Sequence, residues 1–139
     1  MKDALTSRFR ALYSGEPEVI ARAPGRIEFI GNHTDYNGGP VIGASIDRSV
    51  WVGLASRPDG VRRFASGTQP VRVELPAGVA DRQVGDRSWV NYPLGVLAAM
   101  SGAGLGVPAG FAFLAESSVP VGAGLSSSAA VELASCLAF

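Results

Sequence analysis

The chain has 139 residues, of which 47% are hydrophobic and 17% charged, which is enough apolar content for one domain with a buried core. Lys and Arg together number 12, as do Asp and Glu, so the formal net charge is zero. This balance gives no electrostatic support for a nucleic-acid partner. A membrane partner is not expected either, because no apolar run approaches the roughly 20 residues of a spanning helix.

The N-terminus and the single cysteine indicate the cellular compartment. The first 17 residues, MKDALTSRFRALYSGEP, contain no uninterrupted apolar run and so do not form a secretory signal. Cys136 is the only cysteine, and its apolar surroundings in the sequence predict that it packs in the core. A lone thiol favours a reducing compartment, so a soluble cytoplasmic protein is expected.

An amphipathic helix is predicted at the start of the chain. Four apolar residues recur at helical spacing, namely Leu5, Phe9, Leu12 and Tyr13. Gly15 follows them as a stop signal. We expect residues 1–20 to form this helix and a lead-in, and residues 21–139 to form a single domain.

Strand patterns follow the helix. The segment GRIEFI alternates, which places Ile27 and Phe29 on one face of a half-buried strand. The segment DYNGGP contains an Asn-Gly pair suited to a tight turn with positive φ. Two further strands are predicted, in SVWVGLA from Ser49 and in VRVEL from Val71.

A helix, a strand and a second helix complete the pattern. Asn91 is suited to cap a helix over about residues 92–100, and GFAFLAE from Gly110 predicts another strand. A glycine turn then leads into a terminal helix. The apolar face of that helix is predicted to comprise Ala129, Ala130, Leu133, Ala134 and Leu137. This irregular succession of strands and helices predicts the α+β class.

The turn PVGAGLSSSAA has the features of an anion-binding loop. Gly122 and Gly124 let the backbone approach a ligand, and the serines at 126–128 stand where the helix begins. The free amides of a first helical turn carry a partial positive charge that favours phosphate. An ordinary capped helix fits the spacing alone equally well. The loop has neither the Lys of a Walker motif nor the third glycine of a dinucleotide-binding motif.

Together with the segment APGRIEFIGNHTDYNGG, this turn makes the chain resemble the galactokinases, members of the superfamily of galacto-, homoserine, mevalonate and phosphomevalonate (GHMP) kinases. The early galactokinase signature reads roughly G-R-V-N-L-I-G-E-H-T-D-Y-N-x-G, and residues 24–39 follow it with two non-conservative departures. The superfamily's phosphate loop reads roughly P-x-G-x-G-L-S-S-S-A and is matched throughout residues 120–129. The resemblance implies the N-terminal domain of the GHMP kinase fold, a fold shared with the second domain of a small-subunit ribosomal protein. It also implies that this domain is incomplete at its C-terminal end.

The resemblance also implies roles for particular residues. The loop that would hold the phosphates of ATP comprises Gly122, Ala123, Gly124, Leu125, Ser126, Ser127 and Ser128. Ser128 would also offer its hydroxyl to Mg²⁺, and Arg26 would stabilise the charge of the transferred phosphoryl group. The segment that binds sugar hydroxyls is matched by Asn32, His33, Thr34 and Asp35. The structural alternative for this segment is turn capping, and Trp89 fits either the border of the adenine pocket or the core.

Two positions depart from the galactokinase pattern. Glu28 stands where the family has asparagine, and Asn32 stands where it has glutamate. Because the family's glutamate contacts a hexose hydroxyl, this exchange predicts a preference that has moved away from galactose, toward a related sugar such as galacturonate. It also gives Arg26 an alternative role as the surface partner of Glu28.

The function implied is ATP-dependent phosphorylation of a hexose at its anomeric hydroxyl, most simply galactose to galactose 1-phosphate. The partners implied are a small-molecule sugar and ATP. In the family, a catalytic aspartate, a second magnesium carboxylate and a third glycine-rich motif lie farther along than Phe139. The chain alone is therefore expected to be inactive and to require the missing C-terminal portion. A non-catalytic sugar and nucleotide sensor, and a fragment with no stable fold, are the alternatives.

Overall fold

The computed structural model describes residues 1–31, 33–78, 81–120 and 122–139. Its helices are α1 (Lys2–Tyr13), α2 (Asn91–Gly102) and α3 (Ser127–Ala138). Its strands are β1 (Val19–Ile30), β2 (Ile42–Ser56), β3 (Val61–Ser66), β4 (Val73–Pro76) and β5 (Phe111–Ser117). Short 3-10 turns occupy Asp35–Asn37 and Gly85–Val90. Within the described ranges, no helix combines the length and the apolar content needed to cross a membrane.

The five strands form one sheet in the order β1-β2-β5-β3-β4. Neighbouring strands are antiparallel except for β3 and β5, which run parallel with Arg62 opposite Phe111. β1 and β2 pair as a long hairpin whose register is irregular around Gly25 and Phe29. A sheet of mixed strand orientation packed against helices confirms the predicted α+β class.

The sheet has a hydrophobic core on each face, and β5 contributes to both. Phe111 and Phe113 point to the face covered by α2 and α3, where their rings pack with Phe64 and with the terminal Phe139. On the other face, Leu114 packs with residues of α1. Because successive strand residues point to opposite faces, β5 holds the two layers of helices together.

The strand β3 is absent from the expectations above because its sequence, VRRFAS, contains two adjacent arginines. Arg62 is nevertheless buried, since its guanidinium donates to the carbonyls of Ala109 at 3.1 Å and Gly78 at 2.7 Å. The guanidinium also lies over the ring of Phe111, 5.9 Å from its centroid. Burial lowers the pKa of Arg62. Carbonyl partners replace the water that a buried cation loses, so arginine is tolerated inside this strand.

Two predicted helix signals are wrong in detail. Helix α1 ends with Ser14 in the left-handed conformation, with φ of 56°, so Ser14 and not Gly15 forms the stop. Helix α2 begins at Asn91, but the Asn91 side chain makes no cap. Its amide instead accepts from the backbone N–H of Gln83 at 2.9 Å and donates to the carbonyl of Gln83 at 2.8 Å.

Helix α3 buries only part of the face predicted for it. Its buried residues are Ala130, Ala134, Ser135 and Ala138. Leu133 and Leu137 are 58% and 67% exposed, and Cys136 is exposed too, so the prediction of a core cysteine is wrong. Small residues on the buried face let α3 lie close to β1 and β2. The longer leucines therefore point away from the sheet.

Candidate functional site

The segment after β1 forms a tight loop held by the side chain of Thr34. The Thr34 hydroxyl is within hydrogen-bond distance of two carbonyls, those of Pro40 at 2.8 Å and Gly31 at 3.1 Å. The backbone N–H of Thr34 also donates to the carbonyl of Gly31 at 2.9 Å. A Cβ at Gly39 would lie 2.7 Å from the Cβ of Thr34, so only glycine fits there. Thr34 therefore has the turn-forming role that the structural alternative gave it.

The predicted sugar ligands His33 and Asp35 project from this loop into solvent. His33 Nδ1 lies 3.1 Å from the hydroxyl of Tyr36, and the two rings meet edge to face. Asn37 donates its side-chain N–H to the carbonyl of His33 at 3.1 Å. The loop thus brings one imidazole and one carboxylate to the same exposed turn. The fourth predicted ligand, Asn32, lies outside the described residues.

The loop continues into the end of the β1–β2 hairpin, where apolar side chains are exposed. Phe29 is 74% and Ile27 38% exposed, and Ile42 on the facing strand is 59% exposed. The half-buried character predicted for GRIEFI belongs instead to the preceding part of β1, where Ala21 and Ala23 are buried. The sugar-segment end of the hairpin is therefore open on both strands.

The glycine turn and the β1 segment meet at Arg26. The backbone N–H of Arg26 donates to the carbonyl of Leu125, with the two atoms 3.1 Å apart. A Cβ at Gly25 would lie 2.9 Å from that same carbonyl oxygen. A glycine beside Arg26 is therefore what lets the two backbones approach. Two motifs separated by most of the chain lie side by side.

The side chain of Arg26 is 56% exposed and has Glu28 as a neighbour. Its Nη2 lies 4.0 Å from Glu28 Oε2, the outer limit for an ion pair. The other oxygen, Glu28 Oε1, is buried and has no hydrogen-bond partner among the described residues. Arg26 is thus an exposed arginine beside the carboxylate of Glu28, as the alternative proposed, and its guanidinium can also reach toward an anion.

The backbone of the glycine turn alternates in a way suited to anions. Gly122, Gly124 and Ser126 have φ of 74°, 69° and 56°, so every second residue is left-handed. Such alternation turns successive N–H groups toward one concavity. Among the residues that the structure describes, none has an atom within 4 Å of a Cβ added at Gly122 or Gly124, so these residues leave the space beside the glycines open. Val121, inside the predicted loop, lies outside the described residues.

Ser126 does not cap helix α3 through its side chain, because no side-chain capping hydrogen bond is formed there. The amides of the first turn of α3 therefore remain available to a ligand. Their partial positive charge and the open loop in front of them fit the phosphates of ATP.

A cavity of about 650 Å³ opens beside this helix start. Ser127 and Ser128 line it from α3, and Trp89 lines it from the turn before α2. Trp89 also packs edge to face on Phe64 and donates its indole N–H to the carbonyl of Val71 at 3.3 Å. Trp89 therefore joins the core, as one of the two interpretations expected, and it also borders the cavity.

Sequence reasoning missed most of the cavity's polar lining. These residues are Ser66, Thr68, Gln69, Arg82, Asp86 and Ser88. They come from two segments that follow no motif, namely the end of β3 with the loop after it, and the stretch that leads into α2. Only the three-dimensional arrangement of β3 and α2 brings them together, so no local signal could have identified them.

The described residues provide a hydroxyl for magnesium but no cluster of carboxylates. Within the described ranges, no group of three or more His, Cys, Asp or Glu is placed to hold a metal ion. Ser128 is exposed at the start of α3, beside the phosphate loop. Mg²⁺ commonly takes one or two protein ligands together with phosphate oxygens and waters. The donor set therefore fits a magnesium ion that arrives with a nucleotide.

Two family models match the chain. The model described as galactokinase galactose-binding signature matches residues 7–56, which include Arg26 and the loop of His33. The model described as GHMP kinases N terminal domain matches residues 91–139, which include the glycine turn.

Curated relatives match nearly the whole chain. The galactokinase of Streptomyces coelicolor is 44% identical over 135 residues, which is 94% of this chain and 34% of the relative. The human galactokinase is 39% identical over 132 residues, which is 91% of this chain and 33% of the relative. The chain therefore spans about a third of the length of the curated relatives it matches.

Solved structures show the same fold. The Lactococcus lactis galactokinase complexed with galactose is 34% identical, with a TM-score of 0.84 over 96% of this chain and 35% of that chain. The Methanococcus jannaschii mevalonate kinase is 17% identical, with a TM-score of 0.73 over 89% of this chain and 39% of that chain. At this identity, the similarity shows the fold alone. The fold is that of the N-terminal domain of the GHMP kinases, which confirms the expectation drawn from the two motifs.

Proposed function

We propose that this chain, whose sequence and fold correspond to the N-terminal portion of the galactokinases, supplies the sugar-binding and phosphate-binding parts of a galactokinase site. The reaction is transfer of the γ-phosphoryl group of ATP to the anomeric hydroxyl of D-galactose. The bond from the anomeric oxygen to phosphorus forms as the bond from phosphorus to the β,γ-bridging oxygen breaks, and ADP leaves.

One contact carries this proposal. The hydrogen bond from the Arg26 N–H to the Leu125 carbonyl joins the segment that resembles a sugar site to the loop that resembles a phosphate site. Phosphoryl transfer requires donor and acceptor to be held side by side, because catalysis consists largely of positioning and charge neutralisation. The contact therefore supports a site in which the sugar segment and the phosphate loop are held next to each other.

Each group of residues has a role in this proposal. The amides of residues 122–128 bind the phosphates, and the exposed guanidinium of Arg26 stabilises negative charge on the transferred group. His33 and Asp35 bind sugar hydroxyls, together with Asn32. Ser128 would offer its hydroxyl to a Mg²⁺ ion that arrives with ATP, and the ion would neutralise phosphate charge.

The reaction also needs a group that accepts the proton of the anomeric hydroxyl, and we assign that role to no residue of this chain. We expect the acceptor to come from the part of the relatives' length that the chain does not span, and the 139 residues alone to be inactive. We place the reaction in the cytoplasm, where a free thiol such as that of Cys136 persists.

ATP binding by the chain tests the phosphate loop. Replacing Gly124 by alanine puts a Cβ at a residue with φ of 69°, and we expect Mg-ATP binding to weaken by about tenfold or more because the loop must change shape. The matched control is Gly104→Ala, where φ is 75°, also with no atom within 4 Å of the added Cβ. Both variants lose similar stability, but only the Gly124 variant loses affinity in calorimetric titration. Equal ATP affinity in the two variants contradicts the phosphate loop.

Turnover is tested in a chimera in which residues 1–139 precede the unmatched remainder of the Streptomyces coelicolor galactokinase. We expect ATP-dependent formation of galactose 1-phosphate, and a loss of about 100-fold or more in kcat with Arg26→Ala. Galacturonate is measured beside galactose, since Glu28 and Asn32 depart from the family pattern. A folded chimera that binds ATP and phosphorylates neither sugar contradicts the proposal. Faster phosphorylation of galacturonate than of galactose would identify galacturonate as the substrate in place of galactose.

A further inference from the structure

We propose that Tyr36 is a positioning residue that sets His33 as a hydrogen-bond donor toward the sugar. The Tyr36 hydroxyl donates to His33 Nδ1, so the imidazole carries its hydrogen on Nε2. This inference rests on the proposed function, because it assigns the polarity of a contact within the proposed sugar site.

The geometry of the loop brings the two rings together. His33 Nδ1 and the Tyr36 hydroxyl are 3.1 Å apart, and the rings lie edge to face with centroids 6.3 Å apart at 84°. Tyr36 lies in the 3-10 turn Asp35–Asn37, and the side chain of Asn37 in that turn donates to the carbonyl of His33, which holds Tyr36 beside His33. The contact between the rings therefore follows from the backbone of the loop.

The loop does not depend on Tyr36 for its shape. Thr34 closes it through the carbonyls of Gly31 and Pro40, and Asn37 holds the carbonyl of His33. The Tyr36 side chain is itself 74% exposed, so its removal leaves no cavity. The tyrosine hydroxyl can therefore be removed while the backbone that carries His33 stays in place.

Donor and acceptor chemistry decides the direction of the bond. A neutral imidazole has one N–H donor and one nitrogen acceptor, and a phenol can donate or accept. The imidazole nitrogen is the more basic of the two acceptors, so the phenolic O–H donates to Nδ1. Nε2 then keeps its hydrogen and can only donate.

This polarity complements the neighbouring Asp35. An ionised carboxylate can only accept hydrogen bonds, whereas a sugar hydroxyl both donates and accepts. A loop that offers one fixed donor at His33 and one acceptor at Asp35 matches two hydroxyls of a sugar. With Nε2 as an acceptor, His33 and Asp35 would both accept hydrogen bonds, and neither of the two would donate to a hydroxyl oxygen.

The chain has a single histidine, so nitrogen NMR of labelled protein reports His33 without assignment. In the unsubstituted chain we expect Nδ1 to resonate as an unprotonated nitrogen and Nε2 as an N–H nitrogen. In Tyr36→Phe, which keeps the ring and loses only the hydroxyl, both resonances move toward the averaged positions of exchanging tautomers. An Nδ1–H form in the unsubstituted chain, or unchanged resonances in Tyr36→Phe, overturns the inference.

Galactose affinity gives the second readout, by titration of the same chain. We expect Tyr36→Phe to weaken binding about threefold to tenfold, the range of one hydrogen bond. In a His33→Ala background the same change has no further effect, which a purely structural role would not produce. Loss of affinity on that background, or unchanged affinity in Tyr36→Phe alone, overturns the inference and leaves the proposed function standing. Absence of galactose binding by the unsubstituted chain overturns the proposed sugar site itself, and this inference with it.

Discussion

Gly25 is the residue at which the two halves of the candidate site come closest. Its place in β1 is buried, and three atoms surround the position that a Cβ would take. These are the Leu125 carbonyl oxygen at 2.9 Å, Ile46 Cδ1 at 3.1 Å and Val119 Cγ2 at 3.2 Å. The backbone oxygen cannot rotate away as the end of a side chain can. The glycine therefore fixes how near the phosphate loop lies to β1.

Replacing Gly25 by alanine should cost about 1–3 kcal/mol of unfolding free energy, because an extra methyl group is forced into a packed contact. Urea denaturation measures this loss. The same substitution at Gly95 is the control, since it lies inside α2 with no atom within 4 Å of the added Cβ. Gly95→Ala should instead stabilise the protein by about 0.5–1 kcal/mol. Equal effects of the two changes would contradict the close approach.

Tyr13 makes the stability of the chain sensitive to alkaline pH. Its hydroxyl donates to the carbonyl of Phe113 at 2.9 Å, and burial raises the pKa of Tyr13 from 10.0 to about 12. The folded state therefore keeps a proton that the unfolded state releases above pH 10. The stabilisation is complete below pH 10 and is lost as the pH rises from 10 to 12, by on the order of 2–3 kcal/mol.

Unfolding free energies measured between pH 9 and pH 12 check this expectation against Tyr13→Phe. The variant loses about 1 kcal/mol at neutral pH, because the Phe113 carbonyl loses its donor. It should also show a shallower fall in stability at high pH. If both proteins lose stability in parallel, the decline does not come from Tyr13.

At the scale of elements, α3 shows what spacing alone can and cannot predict. The periodicity correctly indicated a helix after the glycine turn, and Ala130 and Ala134 were correctly placed on its buried face. Leu133 and Leu137 were wrongly placed on that face. Hydrophobicity favours burial of the larger side chain, whereas close packing of a helix against a sheet favours burial of the smaller one. Only the distance between α3 and the strands decides between these two preferences.

Ala134→Leu should therefore be much more damaging than any shortening of the neighbouring leucine. Ala134 is fully buried, and a larger side chain there must push α3 away from the sheet, at a cost of about 1–3 kcal/mol or more. Leu133→Ala removes an exposed side chain and should change stability by less than about 0.5 kcal/mol. Thermal unfolding of the two variants compares them directly. A greater loss for Leu133→Ala would restore the face predicted from the sequence.

The missed strand β3 has a different physical origin. Strand propensity and alternation are local properties, and the pair Arg62–Arg63 hides both. The burial of Arg62 depends on carbonyls of Ala109 and Gly78, which belong to separate loops. No property of the segment VRRFAS alone could indicate those partners.

For the whole molecule, the central position of β5 predicts that the two cores unfold together. Trp51 packs against the core under α1, and Trp89 packs against the core under α2 and α3. Each tryptophan therefore reports one face of the sheet. Single-tryptophan variants, Trp51→Phe and Trp89→Phe, should show coincident changes in fluorescence with denaturant, as expected of a two-state domain.

Leu114→Ala extends this prediction, because Leu114 is fully buried under α1. The substitution should cost about 2–5 kcal/mol and should move both fluorescence transitions by the same amount. A shift confined to the Trp51 signal would show that the two faces of the sheet unfold independently.

The candidate site also divides into a predictable and an unpredictable part at this scale. Two continuous motifs contain Arg26, His33 and the loop 122–128, so these residues could be proposed from residue type and spacing alone. The cavity lining around Arg82 and Asp86 belongs to segments without a recognisable motif, so it could not be identified from the sequence. The contact between the two motifs, through Leu125, likewise exists only in the folded chain.

In the proposed enzyme, that single amide-to-carbonyl bond would couple the binding of the two ligands. A nucleotide that orders the phosphate loop would also stabilise the conformation of β1 at Arg26. A bound sugar would stabilise the phosphate loop through the same hydrogen bond. Thermodynamic reciprocity then requires each ligand to sharpen the affinity for the other by an equal factor. The order in which the two substrates arrive would therefore leave the stability of the ternary assembly unchanged.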